Sequence, residues 1–276
     1  MMQNDTSLPT TSQPNPKKGL TSRLSLGAWL PTVIAVGIIV LILQILADAQ
    51  VVTKLLLPKP TDVWKALISG FENGTLGPHV LATTWATTVG FVTAAIAAVI
   101  IAGILVALPT LERSIMPIFV ALQVLPKVAL APLFVVALGF GLASKVAIIG
   151  VICFFPMLIN SLEGLRVRSR EHAEVFQWLD ASPWQTFRYL RLPGAVPFVF
   201  AGLRVGAVFA LIGAVIAEFV GSDSGLGYNI LQSTANFDTA AVWACLVLLM
   251  IIGLAFHFAV VFCEKRFIFW SVEQVR

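Results

Sequence analysis

Three long stretches of this chain, from Arg23 to Asp48, Glu72 to Glu112 and Asp238 to Glu264, contain no charged residue when histidine is counted as neutral. A helix needs roughly 20 apolar residues to cross the hydrocarbon layer of a membrane. In that layer the backbone must satisfy its own hydrogen bonds, which leaves helices or closed barrels. Further apolar stretches flank Lys145 and follow Pro197. Only 12% of the residues are charged and 58% are apolar, with a mean hydropathy of +0.91, whereas soluble domains carry about 25% charged residues. The pattern predicts an all-α integral membrane fold with about six transmembrane helices, at 28–47, 79–108, 115–138, 144–163, 197–218 and 240–263.

The charges sort by loop. Lys17, Lys18, Arg23, Arg113, Arg166, Arg168, Arg170, Arg188, Arg191, Lys265, Arg266 and Arg276 fall on one side of this topology, and Lys54, Lys59, Lys65 and Lys145 on the other. Positive charge collects in cytoplasmic loops, so both termini are expected in the cytoplasm. Residues 1–27, rich in Ser, Thr, Pro and Asn, read as a disordered basic tail, 28–270 as the membrane domain, and 271–276 as a short cytoplasmic tail. Ala47-Asp48-Ala49 resembles a signal-peptide cleavage site, but the preceding apolar run exceeds the usual 7–15 residues, which favours an uncleaved first span. The net charge of +4 forms no basic stripe among aromatics, so no nucleic-acid partner is expected. Cys153, Cys245 and Cys263 lie in apolar segments without metal-ligand spacing and read as packing residues.

Two details break the apolar monotony. In Leu57–Phe71 two prolines end the first span, Thr61 offers an N-cap, and Val63, Trp64, Leu67, Ile68 and Phe71 recur at helical spacing. That predicts a short helix, lying at headgroup depth or packed on the outer end of the bundle. The third span holds Pro117, Pro126 and Pro132 with Lys127 near its middle. Each proline frees a carbonyl that needs a partner or a wet cavity, so the kink either lines a permeation route or merely shapes the bundle.

The largest polar interruption is EHAEVFQWLDASPWQTFRYLRLP, Glu171 to Pro193. Its first helix should run to about Leu179 and turn at Asp180-Ala181. Ser182, Pro183 and Gln185 then supply the N-cap, first helical residue and capping box of a second helix ending at Pro193. Val175, Phe176, Trp178, Leu179, Trp184 and Phe187 give this hairpin an apolar face at the water edge. It serves either to dock a partner or to pack on its own bundle.

This segment resembles the coupling loop of binding-protein-dependent ABC importer permeases: EAA, three residues, Gly, nine residues, Ile-x-Leu-Pro. Here Glu174 matches the acidic position, Asp180 stands at the glycine, and Leu190, Arg191, Leu192 and Pro193 close the pattern. The alanines are replaced by Val175 and Phe176. LPKPTDV, LPKVALAPLFVVALGFG, DASPWQTF, LPGAVPFVFAGLRV and AEFVGSDSGLGYNI, in that order, resemble the nitrate, sulfonate and taurine branch. The resemblance covers about Leu57 to Trp270. It implies a type I ABC importer permease fold in a bacterial inner membrane, with a coupling loop at 166–193.

By the same resemblance, the partners would be a cytoplasmic ATPase dimer, a second permease subunit (a homodimer being simplest) and an extracytoplasmic substrate-binding protein. Glu171, Glu174, Val175, Phe176, Trp178, Leu179, Asp180, Ala181, Ser182, Pro183 and Trp184 would contact the ATPase. The chain has no G-x-x-x-x-G-K-[ST] phosphate cradle. It is therefore expected to be non-catalytic and without a cofactor, ATP and Mg being held by the partner. The solute would be small and anionic, of the sulfonate, nitrate or taurine kind.

Ionisable groups in spans are costly and usually face a cavity or a partner. Lys127, Arg204 and Glu218 are accordingly the pathway candidates, with snorkelling to the membrane edge the plainer reading for Arg204. Arg204 and Glu218 stand about 21 Å apart along one helix and cannot pair within a subunit. The GSDSGLG run, Gly221 to Gly227, reads as a flexible outer segment, either a gate element or an ordinary loop. A self-contained secondary transporter or channel is the competing expectation, but no internal repeat or set of buried acids supports it. A membrane enzyme would need a cluster of His, Asp or Ser at depth, and none is seen.

Overall fold

The computed structural model describes residues 26–49, 53, 57–166 and 170–268. Of the basic tail expected at 1–27, residues 1–25 lie outside that range, as do the last residues, 269–276. Every regular element among the described residues is helical. In chain order they are α1 (Leu26–Asp48), α2 (Pro60–Glu72), α3 (Leu76–Ala107), α4 (Pro109–Val124), a 3-10 turn (Lys127–Leu130) and α5 (Ala131–Leu138). Then come α6 (Leu142–Arg166), α7 (Arg170–Trp178), α8 (Pro183–Thr186), a π turn (Phe187–Arg191), α9 (Leu192–Gly221), α10 (Leu226–Ala235) and α11 (Thr239–Phe267).

Among the described residues four helices are long and apolar enough to cross a membrane: α3, α6, the run Pro183–Gly221 and α11. The third expected span departs from a kinked helix. Pro109–Val124 and Lys127–Leu138 meet at 87°, the geometry of a broken crossing or of a re-entrant loop. Pro126 supplies no N–H, and the backbone at Leu125 and Pro126 leaves the helical conformation. In α1 the stretch Val33–Asp48 is a shorter apolar helix. It is exposed along most of its length and ends with Asp48 paired to Lys59 at 2.5 Å. That pairing raises the Lys59 ammonium above the ordinary lysine value.

The core is built on α6, which lies between α3 and α9. Without a hydrophobic force between helices in lipid, close packing of small residues has to hold the bundle. Ala98, Ala102, Ala207, Ala210 and Ala214 are all buried. At Gly202 the approach is tight enough to require glycine: a Cβ there would lie 2.9 Å from Asn160 Cβ and 3.3 Å from Met157 Cα. Gly202→Leu should therefore part α6 from α9 and destabilise the protein by about 1–3 kcal/mol, read as a lower melting temperature in detergent.

Polar contacts sort the loops to two ends. At one, Arg166 binds Glu112 and, at 2.8 Å, Glu163, and Arg204 pairs with Glu264 at 3.4 Å. At the other, His79, Thr83, Lys145 and Glu218 converge on the turn between α9 and α10.

Several expectations need correction. Lys145 is not a loop residue; it sits in α6, 6% exposed, and its ammonium donates to Ser224 O at 2.9 Å. α2 begins at Pro60 with Lys59, not Thr61, at the N-cap, because Pro60 takes the first helical position. Thr61 N instead donates to Gln44 Oε1 at 3.3 Å. The second helix of the hairpin does not end at Pro193. Leu192 N donates to Phe187 O across a widened π turn, and this turn carries the chain through Pro193 into α9.

Candidate functional site

The hairpin of α7 and α8 is closed by hydrogen bonds between near neighbours. Asp180 stands at φ +48, the left-handed conformation that usually falls to glycine after a helix. Ala181 N donates to Phe176 O at 3.0 Å and Asp180 N to Gln177 O at 3.1 Å. These are the two bonds of a Schellman motif, and they close α7. Two residues on, Ser182 Oγ accepts from Gln185 N at 3.2 Å while Gln185 Oε1 accepts from Ser182 N at 2.8 Å. The expected capping box is present in full. A stop and a start so close together form a sharp elbow.

The elbow projects its apolar residues unevenly. Trp178 is 88% exposed and Leu179 71%, with Val175 also exposed. Phe176 and Ala181 are half-buried. Trp184 is exposed but stacks on Phe187, ring centroids 5.8 Å apart, and lines a groove against α3. Glu174 and Pro183 lie exposed on the elbow; Glu171 belongs to α7, but its side chain lies outside the described residues.

The three pathway candidates do not share a site. Lys127 opens the 3-10 turn, where its ammonium donates to Gln123 O at 3.4 Å, a carbonyl that a continuous helix would pair with the Lys127 N–H. It also lies 5.2 Å from the centroid of the Phe155 ring, a cation–π distance. Lys127, Phe119, Phe154 and Phe155 line a cavity of about 620 Å³ between α3, α4 and α6. Arg204 pairs with Glu264 at 3.4 Å, toward the elbow end of the bundle.

Glu218 is 1% exposed. Its Oε1 accepts from Thr83 Oγ1 at 2.8 Å and its Oε2 from Gly227 N at 2.7 Å. Thr83 Oγ1 accepts from Leu226 N at 2.8 Å, and His79 Nδ1 from Gly225 N at 3.0 Å. The first N–H groups of α10 are thus taken up by α3 and α9, leaving the Gly221–Gly227 segment pinned instead of loose. Sequence reasoning missed Thr83, His79 and Lys145 as partners of this turn. One threonine among several in an apolar span carries no mark of the carboxylate it meets 135 residues away. Among the described residues no group of three or more His, Cys, Asp or Glu could hold a metal ion.

Residues 94–269 match the family described as binding-protein-dependent transport system inner membrane component. That stretch takes in the bent pair of α4 and α5, the elbow and the pinned turn. The chain belongs to this family. Among similar proteins, the formylaminopyrimidine transport permease protein ThiX of Halalkalibacterium halodurans is 31% identical over 79% of this chain and 87% of its own length. The riboflavin transport system permease protein RibX of Chloroflexus aurantiacus is 35% identical over 79% and 81%, and the taurine transport system permease protein TauC of Escherichia coli 26% over 87% and 90%. As a permease of this family the chain is a multi-pass inner-membrane subunit of an ABC importer. It is non-catalytic and without a cofactor, and works with a separate ATPase and a binding protein. The self-contained transporter reading falls with that membership.

Proposed function

We propose that the elbow is the surface through which the ATPase drives this permease, and that the driven bundle carries a small anionic solute past Lys127. The observation that carries the reading is the outward projection of Trp178 and Leu179 from a turn closed by its own hydrogen bonds. Apolar surface of that size at a water edge favours a partner. The elbow lies at the end of the bundle where Arg166, Arg188, Arg191, Lys265 and Arg266 collect, which supports cytoplasmic termini and a cytoplasmic elbow. Glu171, Glu174, Val175, Phe176, Asp180, Ala181, Ser182, Pro183 and Trp184 complete the docking element.

A second permease subunit, a copy of this chain being the simplest, covers the broken crossing. Irregular backbone at membrane depth is tolerated only against protein or a wet cavity. Val124 and Val136 are nevertheless more than four-fifths exposed on either side of the break. Lys127 then faces the route formed there, where a cation favours sulfonates, carboxylates and similar anions. Taurine is the solute in the name of one relative, and the Lys127 chemistry leans the same way; Arg204 and Glu218 serve as supports of the route.

The test is a reconstituted complex of this chain with its ATPase and binding protein. Trp178→Ser should cut transport-linked ATP hydrolysis about tenfold, in line with loss of a central aromatic anchor, with the subunit still inserted. Lys127→Met should lower anion uptake and leave that hydrolysis coupled to assembly. Unchanged ATPase stimulation in Trp178→Ser would remove the docking reading.

A further inference from the structure

We infer that the solute carried past Lys127 is an aromatic monoanion: a carboxylate or sulfonate on a flat apolar body, with no ammonium of its own. The inference rests on the reading that Lys127 lines the route, and adds the part of the solute that the charge does not recognise. The cavity of about 620 Å³ between α3, α4 and α6 supplies the reasons. A space of about 150 Å³ accepts one benzene, so a fused ring system has room here. A nitrate-sized ion would leave most of it unfilled.

The cavity is apolar apart from Lys127 and Thr93, whose hydroxyl already donates to Val89 O at 2.8 Å. The Lys127 ammonium gives one of its three protons to Gln123 O at 3.4 Å and faces the Phe155 ring. Both partners are neutral, so an anionic head adds to these contacts and displaces neither. Among the described residues no acidic one lines the cavity. Of a zwitterion such as taurine only the sulfonate is served, while its ammonium meets apolar walls and the repulsion of Lys127. Phe119, Phe154 and Phe155 supply the aromatic preference. Their rings stand edge to face, with centroids 5.3, 6.2 and 6.5 Å apart and planes 76° to 80° from parallel. That is the arrangement ring quadrupoles favour. Phe119 and Phe154 are half-buried at the cavity wall, so a flat guest ring extends the array. An aliphatic chain of equal area fills the space without the ring-to-ring attraction.

Equilibrium binding of tritiated naphthalene-2-sulfonate to the permease–ATPase complex in phosphatidylcholine nanodiscs tests the assignment, with octane-1-sulfonate and taurine as competitors. Naphthalene-2-sulfonate should bind saturably and about fivefold tighter than octane-1-sulfonate, the worth of one or two ring contacts. Taurine should not displace it. Phe119→Leu should close most of that gap, and Lys127→Met should weaken both sulfonates about tenfold. At Gly150, in the cavity wall, an added Cβ meets nothing within 4 Å. Gly150→Phe should therefore fold, fill the cavity and abolish saturable binding. Equal affinity for the two sulfonates, with both still weakened by Lys127→Met, would sink the aromatic inference alone. Affinities that Lys127→Met leaves unchanged would sink the route reading and this inference with it. Loss of binding when the discs are made of phosphatidylglycerol would assign the cavity to lipid and overturn the proposal.

Discussion

Glu218→Leu should be the most destabilising of the single substitutions considered for this protein. It removes the acceptor of two buried donors, Thr83 Oγ1 and Gly227 N. Each unsatisfied buried group costs about 1–3 kcal/mol, so a total of about 3–5 kcal/mol is expected, seen as a much lower melting temperature and poor accumulation in the membrane. The cost grows because the Glu218 side chain already fills the space that Cβ atoms at Gly225 and Gly227 would need. Glu218→Gln keeps the shape and one acceptor oxygen, and should recover about half of the loss. Equal behaviour of the two variants would mean that packing, not the hydrogen bonds, holds the turn. Thr83→Val offers a check from the other side: it deletes the donor to Glu218 and the acceptor of Leu226 N while preserving volume.

At the opposite end, Asp180→Pro should abolish ATP-driven uptake while leaving the chain inserted. Proline fixes φ near −65° and has no N–H, whereas Asp180 sits at φ +48 and donates to Gln177 O. The elbow must then open by changing direction at its apex, carrying Trp178 and Leu179 away from any docking geometry. Asp180→Gly is the opposite experiment. A non-glycine residue in the left-handed region costs roughly 1–2 kcal/mol, so glycine should stabilise the turn by about 1 kcal/mol and leave uptake intact or improved. Uptake assays of both variants, with membrane levels measured alongside, decide the point. Normal uptake in Asp180→Pro would show that the apex geometry plays no part in transport.

The contrast between these two sites explains what was legible in the sequence. The elbow is made of contacts between near neighbours, so Ser182, Pro183 and Gln185 announced the capping box, and Asp180-Ala181 announced a turn, Asp180 standing at the glycine of the motif that the segment resembles. The spans were equally plain, because lipid permits no charge-free run of that length another fate. The pinned turn depends on residues from α3, α6 and α9, and nothing around Thr83 or Lys145 betrays a partner so distant along the chain. Lys145 misled for a physical reason: a lone cation between two apolar runs looks like a loop charge, yet here a single carbonyl, Ser224 O, receives it inside the bundle. Prolines were half informative. Pro126 does interrupt its span, but the 87° angle at the break has no counterpart in the sequence. Pro193 interrupts nothing, since the π turn absorbs its missing donor.

That uninterrupted passage has a mechanical outcome. From Pro183 to Gly221 the chain is one helical rod of 39 residues, close to 58 Å at the usual rise per residue. Its near tip is the elbow and its far tip holds Glu218. A continuous helix that meets α6 closely at Gly202 gives a displacement at the elbow a direct path to the cap of α10.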